Sequence, residues 1–195
     1  MIVFIVYAHP SDDSFTRHAR DSFIEGLKAA GHSYILSDLY KMDFKTDISE
    51  TEYLRESYYR GDLPVSDDVA AEHEKVNKSD AIAFIYPIFW NDAPAKLKGW
   101  FDRVWTYGFA YGEPREMKTL EKGLVMCASG NSLEKFKQSG KYNGIVATAL
   151  SDRLFDRVKS KELIILDSMS RMEAEERENN WDRHLKTAYE AGYRL

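Results

Sequence analysis

The chain of 195 residues contains a single cysteine, Cys127. An internal disulfide framework is therefore excluded, as is any zinc or iron–sulfur site built from several cysteines. A reducing cytosol is the expected compartment. Basic residues are in deficit too. Lys and Arg number 27 against 32 Asp and Glu, a formal net charge of −5, so the basic footprint of a general nucleic-acid binder is missing. Long apolar runs are lacking. The N-terminal stretch over residues 2–7 is far too short to cross a bilayer and follows no positively charged segment, so it is expected as a strand, not a signal peptide or membrane span. Neither G-x-x-x-x-G-K-[ST] nor G-x-G-x-x-G occurs, which removes the P-loop and the dinucleotide fingerprint. Repeats, low-complexity tracts and linkers are absent, and one domain over 1–195 is expected.

Aromatic residues are abundant. The 10 Phe, 12 Tyr and 4 Trp make up 13% of the chain, and ten of them fall between Phe84 and Tyr111. With 44% hydrophobic residues the chain has material for a packed core and does not read as disordered.

Apolar, β-branched segments at 2–7, 34–39, 81–86, 123–128 and 162–167 read as strands buried on both faces. Between them lie helical patterns. Ser14 is a good N-cap for a helix over about 15–30. Ser49 and Glu52 make a capping box for a short helix through Tyr59. Further helices are expected over 67–78, from Pro94 to about Trp105, over 144–158, and after a Ser170/Glu173 cap, where the run Arg171–Arg183 is charged on most faces and fits a solvated helix. Strands alternating with helices predict a doubly wound α/β sheet of about five parallel strands, helices on both faces.

Ligands of such sheets sit beyond the carboxyl ends of the strands, which singles out three loops. The first, residues 8–14, leads into a helix N-terminus, where free N–H groups and the dipole favour an anion. His9, Ser14, Thr16 and Arg17 could add donors and charge, whereas Asp12 and Asp13 oppose a phosphate unless they face solvent. A plain capped helix with an acidic first turn is the other reading. The second loop, 87–94, carries Phe89 and Trp90, large rings where a chain is normally exposed; a flat ligand, or packing under the next helix, accounts for them. The third, Ser129-Gly130-Asn131, reads as a backbone floor under a ligand or as an ordinary turn. Tyr107–Tyr111 could line a pocket or an interface. His18, His32, His73 and His184 read as surface histidines without a metal, and the crowded His9, Asp12 and Asp13 make a poor metal cluster. Cys127 reads as a small buried hydrophobe.

Specific strings then carry a resemblance. Tyr7-Ala8-His9 with Ser14-Phe15, Tyr86-Pro87 with Trp90, the run Pro94-Ala95-Lys96-Leu97-Lys98-Gly99-Trp100-Phe101-Asp102-Arg103-Val104, and Phe109-Ala110-Tyr111 resemble the NAD(P)H:quinone oxidoreductase family. That family includes DT-diaphorase, the modulator of drug activity B proteins and flavoprotein partners of potassium-efflux systems. The likeness covers roughly residues 2–130. It implies a flavodoxin-like fold, a bound flavin (FAD, with FMN as the alternative) and a homodimer with the flavin near the interface. It further implies ping-pong hydride transfer from NAD(P)H through flavin N5 to a quinone or similar two-electron acceptor. A regulatory partner of a potassium-efflux system and a flavodoxin-like electron carrier are the alternatives. Carried over by motif, His9, Ser14, Phe15 and Thr16 would hold the phosphate or diphosphate. Pro87, Ile88, Phe89 and Trp90 would flank the flavin ring, and Ser129, Gly130 and Asn131 its other edge. Trp90, Phe89, Tyr107, Phe109 and Tyr111 would shape the substrate pocket. The family often has Thr-Thr-Gly-Gly where this chain has Ala128-Ser129-Gly130-Asn131. Some members place a Tyr and a His beyond that run. Phe136 and Tyr142 occupy those places, and Phe136 has no proton to give, which leaves Tyr142 as the catalytic candidate.

Overall fold

The computed structural model describes residues 1–195. Five parallel strands, β1 (Ile2–Tyr7), β2 (Ser33–Asp38), β3 (Ala81–Pro87), β4 (Leu120–Ala128) and β5 (Val158–Leu166), form one sheet in the order β2-β1-β3-β4-β5. The connection from β2 to β3 steps over β1, so strand order reverses at β1, where this architecture opens a crevice.

Alternate residues along each strand feed two cores. Val3, Ile5 and Tyr7, with Ala81, Ala83 and Ile85, pack under α1 (Phe15–Ala29) and α7 (Ala174–Tyr193). Phe4 and Val6, with Ile82, Phe84 and Tyr86, pack on the other side against α3 (Asp67–Lys78) and α4 (Ala95–Val104). Trp100 of α4 is fully buried there, against Phe4, Phe84, Phe101 and Trp105. Burial of such a side chain contributes roughly 3 kcal/mol. A shorter helix, α2 (Glu50–Ser57), starts at the expected capping box, with Ser49 and Glu52 bonded reciprocally.

The packing of α1 on α7 depends on two glycines. A Cβ at Gly26 would lie 2.0 Å from the Tyr189 carbonyl oxygen, and one at Gly192 2.1 Å from that of Phe23. Only a residue without Cβ permits that approach. Within the run Arg171–Arg183 no residue is buried, as expected of a solvated stretch, and α7 docks mainly through its later turns. Ala188, Ala191 and His184 are buried, and Trp181 meets Phe15 edge-on at 5.0 Å.

Several sequence expectations are corrected. The helix expected over 144–158 is broken: α5 (Leu133–Gln138) and α6 (Lys141–Val146) precede a π-helical segment, Ala147–Leu154, and Val158 already opens β5. β5 is an edge strand whose Lys159, Ser160 and Lys161 face solvent, so its first half lacks the apolar pattern of a buried strand. β4 likewise begins at Leu120, before the apolar run, because Leu120 and half-buried Lys122 already pair with β5 in the ladder. Ser170 does not cap the last helix; its hydroxyl accepts from the Met172 N–H, and Glu173 is the N-cap. Two of the four expected surface histidines take part in packing. His184 is buried, with Nε2 2.9 Å from the Asp167 carbonyl. His73 stacks on Phe109 at 3.5 Å and bonds the Val104 carbonyl. Burial lowers both pKa values, that of His73 to about 4. Cys127 is buried as expected, which pushes its thiol up to about 12.

Candidate active site

The carboxyl ends of β1, β3, β4 and β5 surround a cavity of about 430 Å³, within the range of about 300–1,000 Å³ usual for small-molecule sites. Three of its walls are the loops expected from sequence. The β1–α1 loop supplies His9, Ser11, Asp13, Ser14, Phe15 and Thr16, the β3–α4 loop Pro87, Ile88 and Phe89, and the end of β4 Ala128, Ser129 and Gly130. Nine of the eleven residues expected at a cofactor therefore converge. Trp90 and Asn131 are not part of this lining.

One end of the cavity is rich in donors. Ser14 caps α1 and accepts from the Arg17 N–H, so the N–H groups of Phe15 and Thr16 have no partner inside the helix. His9 Nδ1 lies 3.0 Å from the Ser11 N–H nitrogen and 3.1 Å from the Ser11 carbonyl oxygen, so Ser11 holds the ring in place. Burial lowers the His9 pKa, which favours the neutral ring. Asp12 is turned to Lys41 and Arg17, at 3.3 and 3.8 Å. That removes one of the two acidic objections to an anion; Asp13 stays on the lining.

The fourth wall was missed in the sequence. Met169, Arg171 and Arg177 come from the β5–α7 segment. The Arg177 guanidinium lies 4.6 Å over the Trp181 ring, and Arg171 reaches towards the Asp13 carbonyl at 3.5 Å. The signal was available, because the rule that selects carboxyl-end loops applies to the fifth strand as well. The β5–α7 segment also holds the third loop in place: Ser129 donates to Leu166, Met169 donates to Ser129, and Ser168 donates to Asn131. Asn131 is committed to that turn, its N–H bonded to Ser129 Oγ.

Phe89 and Trp90 part company. Phe89 lies on the wall. Trp90 is fully exposed, at 102%, and packs under no helix. Phe89 and Asp92 exchange N–H···O bonds of 2.8 and 2.9 Å, and the two residues between them, Trp90 and Asn91, have φ of 51° and 66°. This is a two-residue reversal of the type I′ kind, which needs positive φ at both central positions and usually has Asn-Gly there. Six of the ten clustered aromatics serve the core, not the cavity: Phe84, Tyr86, Trp100, Phe101 and Phe109 are buried, and half-buried Trp105 packs against them.

The residues expected at a substrate pocket lie elsewhere. α4 leaves the carboxyl edge at Pro94 and runs back, so residues 105–119 cross the amino-terminal edge of the sheet and lead into β4. Phe109 is buried against His73. Tyr107 and Tyr111 adjoin Tyr59, with ring centroids 5.2 and 5.7 Å apart in sequence Tyr59–Tyr107–Tyr111. Glu56 accepts from the Tyr107 N–H and the Tyr111 hydroxyl. Tyr142 stands in the first turn of α6 with Lys137 above its ring, outside the cavity lining.

Residues 1–186 match the model of the flavodoxin-like fold family. A solved NAD(P)H:quinone oxidoreductase from Methanothermobacter marburgensis is 43% identical, with a TM-score of 0.89 over 97% of this chain and 96% of that one. Ribosyldihydronicotinamide dehydrogenase [quinone] of Pongo abelii is 34% identical over 71% of this chain and 67% of its own length. NAD(P)H dehydrogenase [quinone] 1 of Rattus norvegicus is 36% identical over 55% of this chain. The chain spans 44% of that rat protein and 46% of a related Penicillium crustosum protein, about half their length. The chain belongs to the flavodoxin-like fold family and, within it, to the NAD(P)H:quinone oxidoreductases.

Proposed function

We propose that this chain is a flavin-dependent oxidoreductase that passes a hydride from NAD(P)H to quinones or similar two-electron acceptors. The observation that carries the reading is the asymmetry of the carboxyl-edge cavity. Its α1 end gathers the free Phe15 and Thr16 N–H groups, His9, Arg171 and Arg177. Its other walls are the apolar Phe15, Pro87, Ile88, Phe89, Ala128 and Met169. A phosphate-bearing flat ring matches both halves. The anion-binding groups extend from the α1 N-terminus to Arg171 and Arg177 on the β5–α7 segment, a spread that suits the two phosphates of FAD better than the single one of FMN.

A bound flavin supplies two-electron transfer through its N5. The chain's part is binding and orientation. The α1 terminus, Thr16 and the two arginines hold the phosphates. Ile88 and Phe89 fix the ring plane, the Ile88 N–H being spent on the Ala128 carbonyl so that this wall is continuous with the sheet. Ser129 and Gly130 hold the other edge of the ring, on a turn that Asn131 ties to the β5–α7 segment.

The reading includes a homodimer. Tyr53, Tyr58 and Tyr59 of α2 and the turn after it are exposed, and they continue into Tyr107 and Tyr111. An exposed aromatic patch of this kind marks an interaction surface. Because Tyr107 and Tyr111 lie at the sheet edge opposite their own cavity, they would shape the pocket of the second copy. The cytoplasm is the proposed location, consistent with one buried, unpaired Cys127.

The test is the visible spectrum of the purified protein, followed by release and identification of the flavin. Yellow protein bleached directly by NADPH and reoxidised by a quinone is expected. Colourless protein that takes up neither FMN nor FAD would end this reading.

A further inference from the structure

The Trp90–Asn91 turn is costly as built. Holding a bulky residue in the left-handed region is unfavourable, and the indole it presents is fully in water. Something outside the turn must keep it in this shape, and the structure shows two anchors, both from the crossover after β4.

Asp92 closes the turn. Its Oδ1 accepts from the Ala93 N–H at 2.6 Å and receives Arg153 Nη2 at 2.7 Å. Arg153 sits on the π-helical segment Ala147–Leu154 and is itself nearly buried, its side chain 6% exposed. Its guanidinium lies 4.5 Å over the Phe101 ring, and its carbonyl accepts from Trp105 Nε1. The arginine is thus clamped on the helix side before it reaches the turn. The second anchor is Asn91, whose Nδ2 donates to the Lys141 carbonyl at 3.3 Å. Tyr86, Ile88, Ile145, Thr148 and Ala149 fill the gap between turn and crossover, leaving about 10 Å³ of free space. π-Helical turns are rare and concentrate at functional sites; here the irregular turn delivers the guanidinium.

We propose that Arg153 is a positioning residue: through Asp92 it fixes the Trp90–Asn91 turn beside the cofactor cavity, and so sets where the Trp90 ring meets an incoming acceptor. The inference depends on the flavoenzyme reading for its kinetic consequence but not for the latch itself. Breaking the pair frees the turn to leave its double left-handed conformation. Phe89, which belongs to both turn and wall, then loses its cross-turn bonds.

The experiment has two arms in the full chain. The first is hydrogen exchange at the Phe89 and Asp92 amides, which needs no cofactor. Asp92→Asn keeps an acceptor for the Ala93 N–H while removing the charge, and Arg153→Met removes the guanidinium. Both should speed exchange at these two amides by about fivefold or more, local opening being set by such anchors, with the amides of β1 unchanged. The second arm is steady-state kinetics. Asp92→Asn should raise KM for a quinone several-fold with kcat nearly kept, and this effect should vanish in a Trp90→Ala background, since residues acting through one group are non-additive. Unchanged exchange in Asp92→Asn overturns the latch. Faster exchange with a KM effect that persists in the Trp90→Ala background overturns the claim that it acts through Trp90. Protein that takes up no flavin overturns the functional reading instead, and the exchange arm still decides the latch. Should Arg153→Met fail to fold, Asp92→Asn alone decides both.

Discussion

Replacing Arg103 by methionine should unpin α2 from the rest of the fold. Arg103 is 3% exposed on its side chain and bonds every element around it. Nε and Nη2 donate to Glu52 Oε1 at 2.9 and 2.6 Å, Nη1 and Nη2 to the Asp68 carboxylate at 2.6 and 3.0 Å, and Nη1 to the Lys45 carbonyl. Burial pushes the Glu52 pKa up, yet hydrogen bonds from Arg103 and Ser49 prevail and bring it to about 2. For Asp68 the Arg103 hydrogen bonds are the leading cause, and its pKa also falls to about 2. Breaking one side of a buried pair costs about 3–5 kcal/mol. Asp68 is 35% exposed and Glu52 19%, and solvent screening brings the expectation down to about 3 kcal/mol. For a chain of this length that lowers Tm by about 6–12 °C. The pH dependence has a definite sign. Both carboxylates have folded pKa values below their unfolded values near 4. The stability they contribute is therefore complete above about pH 5 and is lost as pH falls through the folded values near 2. Urea denaturation of wild type and Arg103→Met at pH 7, 5 and 3 should show a gap that is largest at pH 7 and shrinks towards pH 3. A gap under about 1 kcal/mol at pH 7, or one that stays constant across the series, refutes the assignment of this network as the pin.

The remaining predictions follow from the site and the packing. Trp90→Ala should weaken flavin retention or raise KM for the acceptor; an unaltered spectrum and unaltered kinetics would remove Trp90 from the site. Arg177→Ala should weaken flavin binding by about tenfold or more, as expected for loss of a charged hydrogen bond, read by ultrafiltration of the holoprotein. Equal retention would detach the β5–α7 wall from the cofactor. Gly192→Ala drives a Cβ into the Phe23 carbonyl and should cost about 1–3 kcal/mol, read by thermal unfolding; a neutral result would mean that α7 slides freely on α1. Cys127, buried with its pKa at about 12, should resist iodoacetamide in native protein at pH 8 and react in urea, and rapid native labelling would contradict its burial.

What could be read from sequence depended on whether a residue's neighbours were close in the chain. β1 and β3 were plain because both faces are covered and almost every residue is apolar. The Ser49–Glu52 capping box was plain because its partners are three residues apart. β5 was half hidden, since an edge strand can expose Lys159, Ser160 and Lys161 and still keep its ladder. Arg171 and Arg177 look like part of a charged surface run until the fold brings them over the α1 terminus. Aromatic density pointed to the right loop for the wrong reason: Phe89 reaches the cavity, whereas Trp100 and Phe101 fill the core beneath it. Nothing local could reveal that Tyr107 and Tyr111 sit at the far edge of the sheet, since that follows from the direction in which α4 runs.

The Trp90 turn also has an optical consequence. Of the four tryptophans, Trp100 has no exposed surface, Trp105 and Trp181 are half-buried, and Trp90 is wholly in water. An indole in water emits at longer wavelength than one in an apolar core, so Trp90 should dominate the red edge of the native fluorescence while the other three supply the blue. A ligand that stacks on the turn quenches the red edge first; one that settles only against the arginines at the α1 terminus leaves it intact. The chain therefore carries, without a label, a spectroscopic reporter that separates engagement of the turn beside the cavity from engagement of the anion end within it.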